Sequence, residues 1–362
     1  MKFVKGKSKT AFLMLLSLVL VVALILPTSP LAAEKIALAH LQTEDMFNNE
    51  IYPAMIYFKQ LLEERTGGAF DVEIYPGGQL GNEVETTQEV QQGGITIQMV
   101  LTSSGAFSAF YKKYQAIVQP YLFPDKLTAW AFFDSDYMAE FMSGLPKIGL
   151  RYLGTMDDGG GFVVLTNSLR PVYSIKDFKG MRVRTEENPS HMAIMNAMGA
   201  SATPMPWGDV ATALATGTAH AQFNAPLIIA MSHLWDTQKY VSETRHIYNT
   251  LTWLVSDTWF QRQSKAHREE ILRSSREAII YSRSLAIHLS AGAIIAAKKH
   301  GMKFNTITPE NIAELREKSQ AGYRKWAVED YGLKPSLLDS VKKEVDRIYS
   351  ANGKNLMKKH GQ

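Results

Sequence analysis

The chain has 362 residues and no cysteine, which excludes disulfides, thiolate metal centres and thiol nucleophiles together. It also lacks an excess of charge of either sign beyond its first segment. Lys2, Lys5, Lys7 and Lys9 are the only charged side chains in residues 1–33, so the 39 Lys and Arg less these four leave 35, against 35 Asp and Glu. A nucleic-acid or anionic-membrane partner would call for a basic surplus, so neither is expected. Close metal-binding spacing is missing too. The nine histidines form no HExxH pair, and His220, His233 and His246 fall on different expected elements, so no metal site is expected. The glycine-rich stretches lack a Gly-Lys-Ser/Thr ending and the GxGxxG order, and Ser103-Ser104-Gly105 is not a GxSxG elbow, so no phosphate loop, cofactor or serine nucleophile is expected. The adjacent acids Asp157-Asp158 and Glu186-Glu187 are expected to be solvated.

What is present begins with an export signal. The four lysines are followed by an apolar run from Ala11 to Leu26, broken only by Ser17, then Pro27 and the small residues Ala32 and Ala33. That order reads as a cleavable signal peptide over residues 1–33, or, if uncleaved, a membrane anchor. No later segment is expected to cross a membrane. About 329 residues remain, a length that suits two cores better than one.

Alternation marks Glu34–His40 and Phe70–Tyr75 as strands, and apolar spacing makes Tyr52–Arg65 a helix stopped at Gly67-Gly68. A polar helix over 82–92 and a strand over 95–101 continue the pattern. Strands alternating with helices imply an α/β lobe, a sheet flanked by helices, with ligands beyond the carboxyl ends of its strands. A second set follows: strands over 151–155, 162–166, 181–185 and 219–224, and helices over 190–198 and 209–215. The lobe change is placed at Met156–Gly161, where three glycines after two acids are expected to end regular structure. From Lys265 to His300 apolar residues recur every seven positions, at Leu272, Ile279, Ala286 and Ala293 with Ile280, Ile287 and Ile294 beside them. This predicts a helix about 50 Å long, enough to brace two lobes.

Four stretches together resemble the solute receptors of tripartite ATP-independent periplasmic (TRAP) transporters. They are Tyr75–Gly81 (YPGGQLG), Gln119–Pro124 (QPYLFP), Leu165–Arg184 (LTNSLRPVYSIKDFKGMRVR) and Met198–Asn224 (MGASATPMPWGDVATALATGTAHAQFN). The resemblance implies a two-lobed periplasmic-binding-protein fold with a long helix bracing both lobes. It divides the chain into lobe I, residues 34–156 and about 248–283, and lobe II, residues 157–247 and about 284–362. It also implies an organic-acid ligand and delivery to a sodium-coupled permease.

By that resemblance Arg184 matches the arginine that grips the ligand carboxylate, a role suited to a planar fork of donors that never loses its proton. Arg182 is expected to point away and serve structure. Asn224 matches a polar position near the ligand. Many members carry a second arginine after Gly-Phe, but here Gly161-Phe162 precedes Val163, which implies a monocarboxylate with an apolar or aromatic body. Phe162, Trp207 and Phe223 are candidates for its wall. Gln79, Ser103, Ser104 and His40 are candidates for polar contacts from lobe I. The expectation is a periplasmic receptor, not an enzyme; the alternatives are a periplasmic enzyme on the same fold, or a receptor for an ATP-driven importer or sensor kinase.

Overall fold

The computed structural model describes residues 32–359. The export signal read over residues 1–33 lies, but for Ala32 and Ala33, outside them. Eleven strands form two sheets. The first holds β1 (Glu34–Ala39), β2 (Phe70–Tyr75), β3 (Met99–Ser103), β4 (Leu150–Phe162) and β10 (Tyr248–Ser256) in the order β2-β1-β3-β10-β4. The second holds β5 (Val164–Asn167), β6 (Arg182–Thr185), β7 (Ser201–Pro204), β8 (Ala221–Asn224), β9 (Tyr240–Ser242) and β11 (Lys303–Asn305) in the order β11-β9-β5-β8-β6-β7. Both sheets are mixed. β10 runs antiparallel to β3 and β4, and β5 runs antiparallel to β8 and β9. The chain passes between the sheets at Val163, again through residues 243–247, and a third time over residues 257–302. The first two crossings bind each other, with Val163 N donating to Ile247 O (3.2 Å) and Arg245 N to Val163 O (3.1 Å).

Local chemistry sets the elements. The helix Tyr52–Arg65 opens with Pro53 in its first turn and with the Asn49 side chain accepting from Ile51 N and Tyr52 N (2.6 and 3.2 Å). Asn82 and Glu85 form a reciprocal capping box on the helix Glu83–Gln91, satisfying donors that a helix start leaves free. Regular structure does not end at the glycines after Asp158. β4 continues to Phe162 through a wide bulge, Asp157 pairing with Thr250 and Phe162 with Tyr248. Gly159, Gly160 and Gly161 have φ of 64°, 96° and 86°, and a Cβ on them would overlap Ile228, Ser290 and Tyr248. Glycine is needed there both to turn and to let lobe II helix Pro226–Met231 and the long helix come close.

The long helix is Lys265–Lys299, with Ser264 accepting from His267 N (3.1 Å). Its buried stripe is Ile271, Ser274, Ser275, Ala278, Ile279, Ser282, Ala286, Ala293 and Ala297. Small residues dominate, so it packs closely on Tyr52–Arg65 and β4 from one lobe and on Pro226–Met231 from the other. Leu272, Ile280 and Ile287, expected on the inner face, are instead 43%, 54% and 54% exposed. By length and composition this helix is apolar enough to cross a membrane, contrary to the expectation that no later segment is; here its small-residue face is spent on both lobes. Arg283, buried on the same helix, makes a bidentate pair with Asp134 (2.7 and 3.0 Å) and donates to Thr155 O (2.8 Å). The last helices clasp both sides. Pro309–Lys325 packs on the helix Pro189–Ala197, and Pro335–Lys359 packs on the helix Lys126–Phe133.

Candidate functional site

β6 pairs in parallel with β7 and β8, so Arg184 stands beside Thr203 and Gln222 one residue from the carboxyl end of its strand. It is 4% exposed. Its Nε and Nη2 donate to the Met205 carbonyl (3.2 and 2.9 Å), and its guanidinium carbon lies 5.5 Å from the centre of the Trp207 ring. The fork is therefore held by a backbone oxygen and a ring face rather than by an acid. Among the described residues no carboxylate lies within 4 Å of it. A narrow cavity of about 70 Å³ opens at this guanidinium, between Met205, Trp207 and Glu186 on one side and Glu83, Ser103 and Gly105 on the other.

Ser103 ends β3 and begins the helix Ser104–Phe110, its hydroxyl accepting from Ala106 N (3.2 Å). Ser103 also donates through N and Oγ to Glu83 (2.6 and 3.0 Å). Burial first, and then the charge of Glu186, raise the Glu83 carboxyl to about 7. Burial pulls Arg184 downward, and the charges of Glu186 and Glu83 resist it. Behind them lies Asp158, accepting from Gln42 Nε2 (2.7 Å) and Asn249 Nδ2 (2.6 Å), while Ser104 Oγ bonds Asn249 Oδ1 (3.1 Å). Burial, followed by the charges of Glu50, Glu186 and Glu83, lifts Asp158 well above the usual carboxylate range. The expectation that Asp157-Asp158 is solvated fails: the two are 1% and 7% exposed, and Asp157 accepts from Trp130 Nε1 (2.9 Å) and Tyr248 OH (2.5 Å). The bulge at the three glycines folds both acids inward.

The lobes touch at this place. Gly105 faces the Glu186 carboxylate so closely that a Cβ would overlap Oε2 and stand 2.8 Å from Cδ. Beside it Gln115 Nε2 donates to Asn188 Oδ1 (2.9 Å), and the same oxygen accepts from Ser190 N (3.1 Å) at the start of Pro189–Ala197. Glu186 Oε2, Asn188 Nδ2 and both His191 ring nitrogens are buried without a hydrogen-bond partner, which makes this a polar and under-satisfied junction.

Of the residues singled out in the sequence, Arg184, Trp207 and Ser103 line the one cavity, while Ser104 is buried behind it against Asn249. The others lie elsewhere. Asn224 is buried and donates to Gln222 Oε1 (2.7 Å), which is bonded in turn to Thr166. Phe223 alternates with Asn224 to the opposite face of β8 and packs edge-on between His191 and His246 (5.4 and 4.9 Å). Phe162 packs edge-on against Tyr248 (4.8 Å), with the Arg245 guanidinium 4.2 Å over its ring, in a different cavity. Of the expected aromatic wall only Trp207 is beside Arg184. Gln79 is exposed in the turn after Pro76. His40 is 3% exposed, 6.3 Å from the Tyr52 ring, and burial lowers it to about 4. Arg182 shares a face of β6 with Arg184, as any residue two positions away must. It lies at the opposite end of the strand, exposed, where it donates to the carbonyls of Thr218 and Gly217.

Glu83, Asp158, Glu186 and Asn188 were not read in the sequence as site residues. The one available signal was the strand-end rule, which places Gly77–Gly81 and Thr102–Gly105 beyond carboxyl ends of strands, next to Glu83 and including Gly105.

Comparison with known proteins gives a consistent picture. The family model described as bacterial extracellular solute-binding protein, family 7 (DctP), matches residues 42–330. The 2,3-diketo-L-gulonate-binding periplasmic protein YiaO of Escherichia coli is 29% identical over 279 residues, 77% of this chain and 83% of that protein. A TRAP periplasmic solute-binding protein from Ochrobactrum anthropi, solved with its C-terminus bound in the ligand-binding pocket, is 29% identical, with a TM-score of 0.78 and coverage of 90% and 98%. One from Polaromonas, bound to D-erythronate, is 25% identical with a TM-score of 0.77 and coverage of 85% and 98%.

Proposed function

Because the chain belongs to family 7 of the bacterial extracellular solute-binding proteins, the binding subunits of TRAP transporters, we propose that it captures a small hydroxylated monocarboxylate in the periplasm and delivers it to a membrane permease. The chain is a binding protein and not an enzyme, and its family binds organic and sugar acids. The observation that carries the finer reading is Arg184: a buried guanidinium whose only hydrogen-bonded acceptor among the described residues is a backbone carbonyl, aimed at the contact between lobes. Such a fork meets a carboxylate in two parallel bonds. Val163 in place of the family's second arginine favours a single carboxylate. Its neighbours favour hydroxyls over the apolar body first expected, because the carboxyls of Glu83 and Glu186 border the cavity as acceptors and, among the described residues lining it, Trp207 alone offers an aromatic ring. Two of the relatives bind polar acids of this kind, 2,3-diketo-L-gulonate and D-erythronate.

Capture requires motion. A cavity of about 70 Å³ has room for one or two waters and not for a carbon skeleton. The ligand therefore enters with the lobes parted, and they close about the crossings at Val163 and 243–247. Closure excludes water and strengthens each polar contact. We place residues 34–162 and 248–256 in lobe I, residues 163–247 and 303–305 in lobe II, and read the long helix and the C-terminal helices as shared braces. The test is a thermal-shift screen of purified protein against organic acids. Hydroxylated monocarboxylates should raise the melting temperature, because a ligand that binds only the folded state stabilises it. Stabilisation by dicarboxylates or aromatic acids alone would overturn the ligand class.

A further inference from the structure

The hexapeptide Gln119–Pro124 carries part of the family resemblance yet stands apart from Arg184. With Phe162, Arg245 and Arg316 it walls a second cavity of about 630 Å³, which shares no lining residue with the first. Two of its residues are held in the left-handed region, Tyr121 at φ 55° and Arg245 at φ 46°. Each costs roughly 1 kcal/mol in that conformation. Both are pinned to the lobe crossings, Tyr121 N donating to His246 O (2.9 Å) and Arg245 N to Val163 O (3.1 Å). The strain directs both side chains to this cavity.

Three cations, Arg245, Arg316 and Lys342, line the cavity against two acids, Glu243 and Asp346. The Arg245 guanidinium lies 4.2 Å over the Phe162 ring and the Arg316 guanidinium 5.3 Å over the Tyr121 ring. Among the described residues neither has a carboxylate within 4 Å. Asp346 is taken by Lys342 (2.6 Å), which leaves Glu243 as the other bordering acid. The Tyr121 hydroxyl is buried without a partner. Leu122, Phe123, Ile307 and Ile312 supply apolar wall.

We propose that this cavity is a second ligand site, taking an anion with an apolar or aromatic body. The guanidiniums receive the charged group, the Tyr121 hydroxyl completes its hydrogen bonds, and the apolar wall covers the body. The volume lies within the usual range for small-molecule sites, about 300–1,000 Å³. The crossing at 243–247, Phe162 next to the crossing at Val163, and both C-terminal helices line it, so an occupant favours one angle between the lobes. Affinity there is coupled to affinity at Arg184, reciprocally. The site itself stands on the geometry of this cavity, and its coupling to Arg184 rests on the ligand role proposed above.

The probe is anilinonaphthalenesulfonate, an aromatic anion whose fluorescence reports burial, titrated into the full chain. The wild type should show saturable binding. Arg316→Gln, on an exposed helix face, and Arg316→Gln with Arg245→Asn, where asparagine tolerates the left-handed backbone, should weaken it about ten-fold or more, by loss of charge-assisted contacts. Tyr121→Phe should weaken it a few-fold, about the loss of one hydrogen bond, and Arg184→Ala should leave it unchanged. No saturable binding, unchanged affinity in the arginine variants, or loss of binding in Arg184→Ala would each overturn the proposal.

Discussion

Replacing Gly105 by Ala tests lobe closure with a single methyl group. Gly105 lies in the first turn of the helix Ser104–Phe110 and outside the left-handed region. Alanine is the better helix former there by about 0.5–1 kcal/mol, so lobe I should keep or gain stability. The added Cβ has no room once the lobes meet, with Glu186 Cδ at 2.8 Å and Asn188 Nδ2 at 3.4 Å. Glu186 must leave its rotamer and withdraw, at a cost on the order of 1–2 kcal/mol borne by the closed arrangement alone. If ligand is held only in that arrangement, affinity falls by the same amount, about 5- to 30-fold. Gly105→Val, larger and stiffer, should cost more. Titration calorimetry with an acid found by the screen measures the affinity, and scanning calorimetry checks that the melting temperature has not dropped. Wild-type affinity in both variants would refute the claim that this contact is part of closure.

Binding should also depend on pH through Glu83. Its carboxyl is raised to about 7, so between pH 8 and pH 6 it takes up a proton and stops repelling an anionic ligand. Affinity for a carboxylate should rise over that interval, and Glu83→Gln should flatten the slope; a falling affinity would indicate a cationic group on the ligand. Arg283→Ala should destabilise the fold by roughly 1–3 kcal/mol, the range for losing a partly solvated bidentate pair together with a buried backbone contact. Thermal melting measures it, and a change under about 0.5 kcal/mol would show that the long helix is anchored by its small-residue stripe alone.

The fold was legible where local chemistry decides it. The alternation in β1 and β2, the stops at Gly67 and Gly68, and the span of the long helix were all plain in the residues. Less visible was whatever depended on partners distant in sequence. β10 is a nine-residue run buried throughout, without the alternation that marks a half-exposed strand, and it went unread. The inner face of the long helix was read in part: Ile279, Ala286 and Ala293 are buried as expected, but Leu272, Ile280 and Ile287 are exposed, because close packing against two lobes selected serine and alanine beside them. The same limit applied to the site. Arg184 was recognisable from its motif, but Asp158 and Glu186 looked like ordinary surface acids until a glycine bulge buried the first and a lobe contact half-buried the second.

The account depends most on the Arg184 fork being the anchor for a carboxylate. Calorimetric titration of the acid found by the screen into wild type, Arg184→Lys and Arg184→Ala measures this directly. Lysine keeps the charge but not the planar pair of donors. We expect about ten-fold weaker binding for lysine and a loss of several kcal/mol for alanine, the scale of leaving a desolvated anion unpaired. Affinities within about two-fold of wild type in both variants would contradict it.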